Sequence, residues 1–273
     1  MSNIQRRLTE LQAPTIPPWF GKVTVRTTCD TAIGMTRSYC VDLSHELKHM
    51  GAHLIIKDSQ WNWKYHVTRP KFRHFKPLAE YAEWRNRFDI AYDFESEDDN
   101  ALEDCYKWLA NRVNLNWKTC AKRWYHGLDG TETLYWEDTE HVAGMPDRCL
   151  ALYKKFAPLA IRLELRCQCT PAVRVNGLDD WSPTGLKAIN PRTVAEKHFR
   201  PYDLNEAWLQ SMRQWSKYRR LPVAEMDRHI DRYRAEVSVF KGVVHPLPKE
   251  AYAPVAPVVS EAFFNLIPTR LQW

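Results

Sequence analysis

FDIAYDF, residues 88–94, carries the clearest strand pattern in this 273-residue chain. Its large apolar residues all fall on even-numbered positions: Phe88, Ile90, Tyr92 and Phe94. Its two carboxylates, Asp89 and Asp93, fall on odd-numbered positions. Successive side chains of a strand point to opposite faces of a sheet. The stretch therefore predicts a strand with one face on a core and both acids on the other face.

A second alternating stretch, AIRLELRCQC at residues 160–169, carries an acid between two arginines. Its core face is formed by the apolar residues Ile161, Leu163, Leu165 and Cys167. Its other face carries the charged residues Arg162, Glu164 and Arg166. If the two strands are neighbours, Asp89, Asp93 and Glu164 meet among arginines on one face of the sheet.

A carboxylate inside a strand is costly to bury unless it pairs with a cation or binds a metal. Hard oxygen ligands of this kind suit Mg²⁺ or Mn²⁺, so Asp89, Glu164 and Asp93 are candidate metal ligands. The alternative is a solvated sheet face on which arginines and carboxylates form ordinary ion pairs. The residues alone leave both interpretations open.

CLALYKK, residues 149–155, predicts another strand, whose core side is marked by two leucines. Tyr153 and Lys155 then lie on the polar side. A tyrosine can attack a phosphodiester and hold the DNA end as a phosphotyrosine ester. It needs a metal or basic groups to stabilise charge on the phosphate, and Lys155, Arg162 and Arg166 are the candidate cations. The alternative for a single tyrosine is packing plus one hydrogen bond.

The remaining patterns predict an α+β fold, an antiparallel sheet core with flanking helices and a C-terminal helical hairpin. Helical spacing covers about residues 36–50 and 98–113, the second capped by Asp98 or Asp99. Alternating stretches at 53–58 and 63–69 predict a hairpin. We divide the chain into an N-terminal arm (1–20), a strand-rich core (21–200), a helical hairpin (201–241) and a Pro-rich tail (242–273). We expect the tail to be extended and to dock on its own protein or on a partner.

The composition is that of a folded protein, with 44% hydrophobic and 26% charged residues. No apolar run reaches the roughly 18 residues that span a bilayer, and residues 1–20 lack the apolar core of a signal peptide. We therefore expect a cytoplasmic protein without a membrane partner. The seven cysteines include no C-x-x-C pair, which favours reduced thiols. A net charge of +6 permits a polyanionic partner, while the lack of a glycine-rich phosphate loop argues against nucleotide triphosphate hydrolysis.

HELKH, residues 45–49, matches the H-E-x-x-H pattern of zinc metalloproteases. Helical spacing places Leu43 and Leu47 on the buried side, so that His45 and His49 face solvent. A zinc-protease helix must instead turn both histidines toward a shielded cleft. We favour a solvated helix face and keep a zinc metalloprotease as the remote alternative.

Four short motifs follow one another along the chain: RFDIAYDF (87–94), WYHG with GTETLYWED (124–127 and 130–138), ALYKK (151–155) and IRLELR (161–166). This series resembles the replication initiation factors of small bacterial plasmids and filamentous phages, which start rolling-circle replication. Those proteins carry an R-x-D-x-A-x-D strand, a T-x-Y-x-G hairpin, a Y-[DE]-K strand and an R-x-E-[LVI] strand in this order. The resemblance covers about residues 50–170.

The resemblance implies site-specific nicking at a double-strand origin, with the tyrosine linked to the 5′ phosphate and the free 3′ end priming synthesis. By position, Tyr153 is the nucleophile, and Asp89 and Glu164 hold Mg²⁺ or Mn²⁺. Asp93 is a further candidate ligand. It also implies the cytoplasm of a bacterial host and origin DNA, duplex and single-stranded, as the partner. A host helicase or polymerase and a second copy of the chain are additional candidate partners.

Two positions depart from the family pattern. Lys154 stands where the family carries an acid, and Trp136, Glu137 and Asp138 stand where it carries a glycine and a small polar residue. Glu137 or Asp138 is a candidate replacement ligand. The alternative is a non-catalytic DNA-binding relative that serves origin recognition or regulation.

Two runs interleave cations with aromatic rings, as contact with a nucleic acid requires. They are WNWKYHVTRPKFRHFK (61–76) and MRQWSKYRR (212–220). Together with Arg166, the candidate DNA contacts are Trp61, Lys64, Arg69, Lys71, Arg73, Arg213, Lys217, Arg219 and Arg220. The alternative is an exposed hairpin and a helix with a solvated basic face.

Overall fold

The structure is a computed structural model that describes residues 15–51, 54–57, 62–115, 121–126, 132–137, 148–156, 159–205, 207, 211, 242–244 and 252–273. The strands are β1 Thr24–Thr36, β2 Leu54–Lys57, β3 Trp63–Thr68, β4 Trp84–Glu95, β5 Val113–Leu115, β6 Ala121–His126, β7 Glu132–Glu137, β8 Arg148–Phe156, β9 Leu159–Cys167, β10 Phe199–Leu204, β11 Gly242–Val244 and β12 Tyr252–Pro254. The α-helices are α1 Val41–His49, α2 Phe75–Tyr81, α3 Asp99–Arg112, α4 Thr170–Val175, α5 Pro183–Ala188, α6 Pro191–His198 and α7 Pro257–Leu266.

Nine of the strands in the described part of the chain form one sheet, in the order β11-β6-β7-β8-β9-β4-β1-β3-β2. All neighbours in this sheet run antiparallel. A small second sheet has the order β12-β10-β5. The α+β class and the antiparallel sheet core with flanking helices are therefore confirmed. The predicted hairpin of the two stretches at 53–58 and 63–69 is also confirmed, as the pair β2 and β3.

Strand β4 lies near the middle of the large sheet and has the two faces that its sequence predicts. Its core face consists of the fully buried side chains of Phe88, Ile90, Tyr92 and Phe94. Helices α3 and α4 contact this strand. Helix α3 begins where expected, since the Asp98 side chain accepts hydrogen bonds from the backbone N–H groups of Asn100 and Ala101.

Helix α1 confirms the interpretation of HELKH. Leu43 and Leu47 are fully buried, whereas His45 and His49 are exposed. The two imidazole rings stack with their centroids 6.4 Å apart on the outer side of the helix. Gly51 follows with a positive φ of 69°, the conformation that commonly ends a helix. The helix starts later than the sequence indicated, because Cys40 acts as its N-cap.

Described residues of two segments that were predicted to lie outside the core belong to it. Trp19 and Phe20, in the predicted arm, are buried in a 3-10 turn and contact Trp108 of α3, with centroids 5.7 and 5.5 Å apart. In the Pro-rich tail, docking on the same protein is confirmed, because the rings of Phe263 and Trp108 pack together with their centroids 5.1 Å apart. The expectation of an extended tail is wrong for α7, whose proline lies in the first turn, where its missing N–H is harmless.

The predicted boundary between residues 200 and 201 falls inside β10. The helical hairpin predicted at 201–241 lies outside the described residues, apart from 201–205, 207 and 211. Within the described residues no helix is both long and apolar enough to cross a bilayer.

Strand β1 is irregular and is fastened by a distant segment. Its pairing with β4 shifts between Cys29 and Thr31 and again between Ile33 and Gly34, and such bulges bend a strand. The Gln272 N–H donates a hydrogen bond to the Thr27 carbonyl at 2.8 Å. The Thr27 hydroxyl donates in turn to the Arg270 carbonyl at 3.0 Å.

Candidate active site

The sheet brings the predicted acids and the tyrosine onto one face. Strand β9 pairs with β4 on one side and with β8 on the other. In this register Arg162 is opposite both Asp93 and Tyr153, and Glu164 is opposite Ala91, between the two aspartates of β4. The predicted meeting of Asp89, Asp93 and Glu164 among arginines is therefore confirmed.

The arginine–carboxylate pairs of the alternative interpretation are present, but this face is buried rather than solvated. Asp89 and Asp93 are 0% exposed, Glu164 is 1% exposed and Arg162 is 5% exposed. Buried carboxylates need partners, because desolvation penalises their charged form. The partners of the two aspartates differ sharply.

Two cations donate hydrogen bonds to Asp93, and a third, Arg26, lies 3.7 Å from its Oδ2. The Arg162 guanidinium donates to both of its oxygens, with Nε–Oδ1 at 2.6 Å and Nη2–Oδ2 at 2.7 Å. Lys155 Nζ donates to Oδ2 at 3.0 Å. Burial alone would raise the pKa of Asp93, but these two cations outweigh burial and hold it below its ordinary value. Arg162 also binds Asp30, so this part of the face is a closed ion-pair network.

Asp89 is only half satisfied. Arg87 donates a hydrogen bond to Oδ2 from Nε at 2.8 Å, and its Nη2 lies 2.6 Å from the same oxygen as an ion pair. Oδ1 is buried and has no hydrogen-bond partner in the described part of the chain. Burial raises the pKa of Asp89 to about 7; Arg87 opposes this shift and the nearby Glu164 adds to it.

Glu164 connects the acids to the tyrosine. Its Oε1 accepts a hydrogen bond from Arg166 Nε at 2.8 Å, and its Oε2 accepts one from the Tyr153 hydroxyl at 3.0 Å. Burial, followed by the charge of Glu164, raises the pKa of Tyr153 above its ordinary value. The phenol is therefore a neutral hydrogen-bond donor at physiological pH.

A groove of about 460 Å³ opens at Tyr153. Its lining includes Arg69, Thr133, Tyr135, Lys155, Phe156 and Arg166. Thr133 and Tyr135 belong to β7, whereas Arg69 follows β3, and four strands separate β7 from β3 in the sheet order. A flat sheet would hold those two strands roughly 24 Å apart. The shared groove therefore indicates that the sheet curves toward its polar face.

The described residues contain no cluster of three or more His, Cys, Asp or Glu side chains placed to hold a metal ion. Asp93 is committed to Arg162 and Lys155 and does not fit the role of a third ligand. Of the two remaining acids, Asp89 has a buried oxygen without a hydrogen-bond partner among the described residues, which suits a cation. Both oxygens of Glu164 accept hydrogen bonds, from Arg166 and Tyr153, and a metal ion would have to share them. Mg²⁺ in phosphoryl-transfer sites is often held by one or two carboxylates together with substrate phosphate and water.

Lys154, the departure from the family pattern, borders the groove, but its ammonium group lies on the other face of β8. Its Nζ is 2.6 Å from Glu103 Oε2 and 4.9 Å from the ring centroid of Tyr106, both residues of α3. An acid at this position would therefore not point toward Asp89 and Glu164. Of the proposed replacement ligands, Asp138 and the side chain of Glu137 lie outside the described residues.

The predicted DNA contacts are only partly described. Arg69 and Arg166 line the groove, and Lys71 and Arg73 are exposed on the turn before α2. Lys64 is half-buried on β3, and Trp61 and the four cations of 212–220 lie outside the described residues. In the 61–76 run, Tyr65 and Phe75 are fully buried and cannot stack on bases.

Arg87 and Asp30 contribute to the site and were missed in the sequence. Arg87 stands two positions before Asp89 on the same strand, so a search for charge pairs at i and i+2 would have found it. Asp30 lies at the bulge of β1, and no sequence pattern identifies its contact with Arg162.

No family model matches the chain, and neither a curated protein nor a solved structure matches it.

Proposed function

We propose that the protein is a metal-dependent DNA endonuclease that starts rolling-circle replication by attack of Tyr153 on an origin phosphodiester. The observation that carries this proposal is the 3.0 Å hydrogen bond from the Tyr153 hydroxyl to Glu164 at a groove lined by basic side chains. A nucleophile in contact with a proton acceptor is the arrangement that covalent catalysis requires. The motif series of the sequence supports the same reaction.

In the proposed reaction, Tyr153 Oη attacks the phosphorus and the bond from phosphorus to the 3′ oxygen breaks. The phenolic proton passes to Glu164 Oε2, and the departing 3′ oxygen takes a proton from water. The products are a 5′ phosphate linked to Tyr153 and a free 3′ hydroxyl. Because the resting phenol is protonated, proton transfer to Glu164 accompanies the attack.

Positive charge has to stabilise the phosphate during this step. Lys155 and Arg166 line the groove beside Tyr153, although each is also paired with an acid of the site. A Mg²⁺ or Mn²⁺ ion held by Asp89 Oδ1 and Glu164 would supply further charge at the phosphate oxygens. The role of Arg162 is positional in this proposal, because its guanidinium is bound to Asp93 and Asp30.

The test is covalent capture of DNA. We would incubate the protein with a library of supercoiled and single-stranded DNA in Mn²⁺ and search for protein–DNA adducts under denaturing conditions. The wild type is expected to form adducts and Tyr153→Phe to form none. Tyr135→Phe is the matched control, because Tyr135 lines the same groove on β7. Adducts from Tyr153→Phe, or their loss only in Tyr135→Phe, would show that the nucleophile is misassigned.

A second candidate is a DNA-binding protein that does not cut. It is favoured by one observation: Asp89 and Glu164 are each already paired with an arginine, through Arg87 and Arg166. This candidate predicts salt-sensitive binding to duplex DNA and no adduct with any divalent metal. The capture experiment with Mg²⁺ and Mn²⁺ separates the two.

A further inference from the structure

Arg69 differs from three other arginines on the polar face. Arg87, Arg162 and Arg166 each form an ion pair with a buried carboxylate. The Arg69 side chain is exposed and lines the groove with Tyr153, and it has no hydrogen bond or ion pair with any residue that the structure describes. A guanidinium that has no carboxylate partner is available to a ligand, and its planar fork of donors suits phosphate oxygens.

The backbone holds Arg69 in an unfavourable conformation. Among the described residues other than glycine, it alone has a positive φ, of 49°. The left-handed region costs an ordinary L-residue about 1 kcal/mol or more. The following residue, Pro70, restricts the backbone of Arg69 further. Such outliers persist where the surrounding structure enforces them, and they concentrate at functional sites.

A backbone hydrogen bond to a residue of the candidate site holds Arg69 in this conformation. The Arg69 N–H donates a hydrogen bond to the Asp30 carbonyl at 2.6 Å. The Asp30 carboxylate in turn binds Arg162, which is hydrogen-bonded to Asp93. The turn after β3 is thus tied to the ion-pair network under the groove, and it presents Arg69 from a strand that is distant from Tyr153 in the sheet order.

We propose that Arg69 is a phosphate-binding residue, presented by a strained turn to the DNA strand that passes over Tyr153. This inference rests on the proposed function and deepens it, because it assigns a backbone contact beside the nucleophile. Glycine would relieve the strain, since it adopts positive φ readily. Arg69→Gly therefore relieves the backbone strain of the turn and removes the side chain that would bind the phosphate. Stability reports the first effect and DNA binding reports the second.

The experiment compares Arg69→Gly, Arg69→Lys and Arg200→Gly, all in a Tyr153→Phe background that leaves DNA intact. Arg200 is the control, an exposed arginine on β10 that does not line the groove. The probe is a fluorescein-labelled twelve-nucleotide oligodeoxythymidylate, titrated at several salt concentrations, and thermal unfolding is followed in parallel.

We expect Arg69→Gly to raise the melting temperature by about 2–4 °C. We also expect it to weaken oligonucleotide binding about fivefold to tenfold at low salt. The salt slope should fall by about 0.7, which corresponds to one lost phosphate contact on a single strand. Arg69→Lys should keep the slope because it keeps the charge. Arg200→Gly should lower the melting temperature, because glycine weakens a strand, and leave binding unchanged.

Unchanged binding by Arg69→Gly would overturn the inference, and so would an equal loss of affinity in Arg200→Gly, which would indicate a general effect of charge. The binding and melting measurements do not depend on cleavage. Failure of the wild type to form adducts would therefore contradict the proposed nuclease while leaving the Arg69 measurement interpretable. Unchanged binding by Arg69→Gly would likewise leave the adduct experiment interpretable.

Discussion

Asp89 and Asp93 lie four residues apart on one face of β4, and both are 0% exposed, yet their environments are opposite. Both oxygens of Asp93 accept hydrogen bonds from cations, and its pKa is held low. One oxygen of Asp89 has no hydrogen-bond partner among the residues that the structure describes, and burial raises the pKa of Asp89 to about 7. Asp93 is a structural anion with both oxygens paired to cations, whereas Asp89 is paired to a cation through one oxygen only.

The comparison shows how one strand can serve the fold and the site together. A fully paired buried acid fixes the position of its neighbours, whereas an unsatisfied one creates a demand for a cation or a proton. Asp93 positions Arg162 and Lys155 beneath the groove. In the proposed function, a divalent ion would occupy the second oxygen of Asp89.

The largest expected effect comes from removing the charge of Asp93, the fully paired carboxylate. Asp93→Asn removes the charge that compensates Arg162 and Lys155, and we expect it to lower the free energy of unfolding by about 3–5 kcal/mol. Urea unfolding at pH 7.5 measures the change. Glu97→Gln, the same change at an exposed site, is the control and should cost under about 0.5 kcal/mol. A loss no greater than the control would mean that Asp93 does not organise this face.

The pH dependence of stability tests Asp89, the incompletely paired carboxylate. Native Asp89, with a pKa of about 7, keeps a proton that an unfolded aspartate releases near pH 3.9. The native state therefore binds more protons between these values, and Asp89 makes stability fall as the pH rises from about 4 to 7. The fall is at most on the order of 4 kcal/mol. Asp93, with a lowered pKa, has the opposite sign, and its contribution is lost below about pH 4.

Urea unfolding across this range, with a chelator present, compares the wild type with Asp89→Asn. We expect the substitution to flatten the decline between pH 4 and 7 and to leave the acid limb intact. At pH 7.5 the variant should be as stable as the wild type or more so, in contrast to Asp93→Asn. An unaltered pH profile would show that Asp89 is ionised in the native protein throughout.

The smallest effects come from two adjacent lysines on opposite faces of β8. Lys155→Met removes one of the hydrogen bonds to Asp93 and should cost about 1–2 kcal/mol. Lys154→Met removes a surface pair with Glu103, in which the lysine side chain is 40% exposed, and should cost at most about 1 kcal/mol. Equilibrium unfolding and adduct formation are measured on both variants. Loss of adducts in Lys154→Met would contradict its placement away from Tyr153.

The faces of the strands could be predicted because a period of two leaves little freedom. The alternation in 88–94 and 160–169 gave the core sides of β4 and β9, and placed Glu164 with Asp89 once the strands paired. The cap at Asp98 was predictable for a similar reason, since it depends on local geometry alone.

Long-range choices could not be predicted in this way. Nothing local indicates that Asp93 takes Arg162 and Lys155 as partners while one oxygen of Asp89 accepts no hydrogen bond from the described residues. Strand register and burial decide both outcomes. The same holds for Phe263, which packs on Trp108 although its prolines suggested an extended tail. Periodicity identifies a face but not what covers it.

The hydrogen bonds between β1 and residues 270 and 272 have a consequence for the order of folding. Thr27 exchanges hydrogen bonds with residues 270 and 272, at the far end of the sequence, and the same strand carries Asp30 under Arg162. Contacts of such long sequence separation form slowly, since the loop between them must close first. We expect the ion-pair network and the turn at Arg69 to assemble among the last steps of folding. A growing chain on the ribosome would then have its strands before it has a competent site.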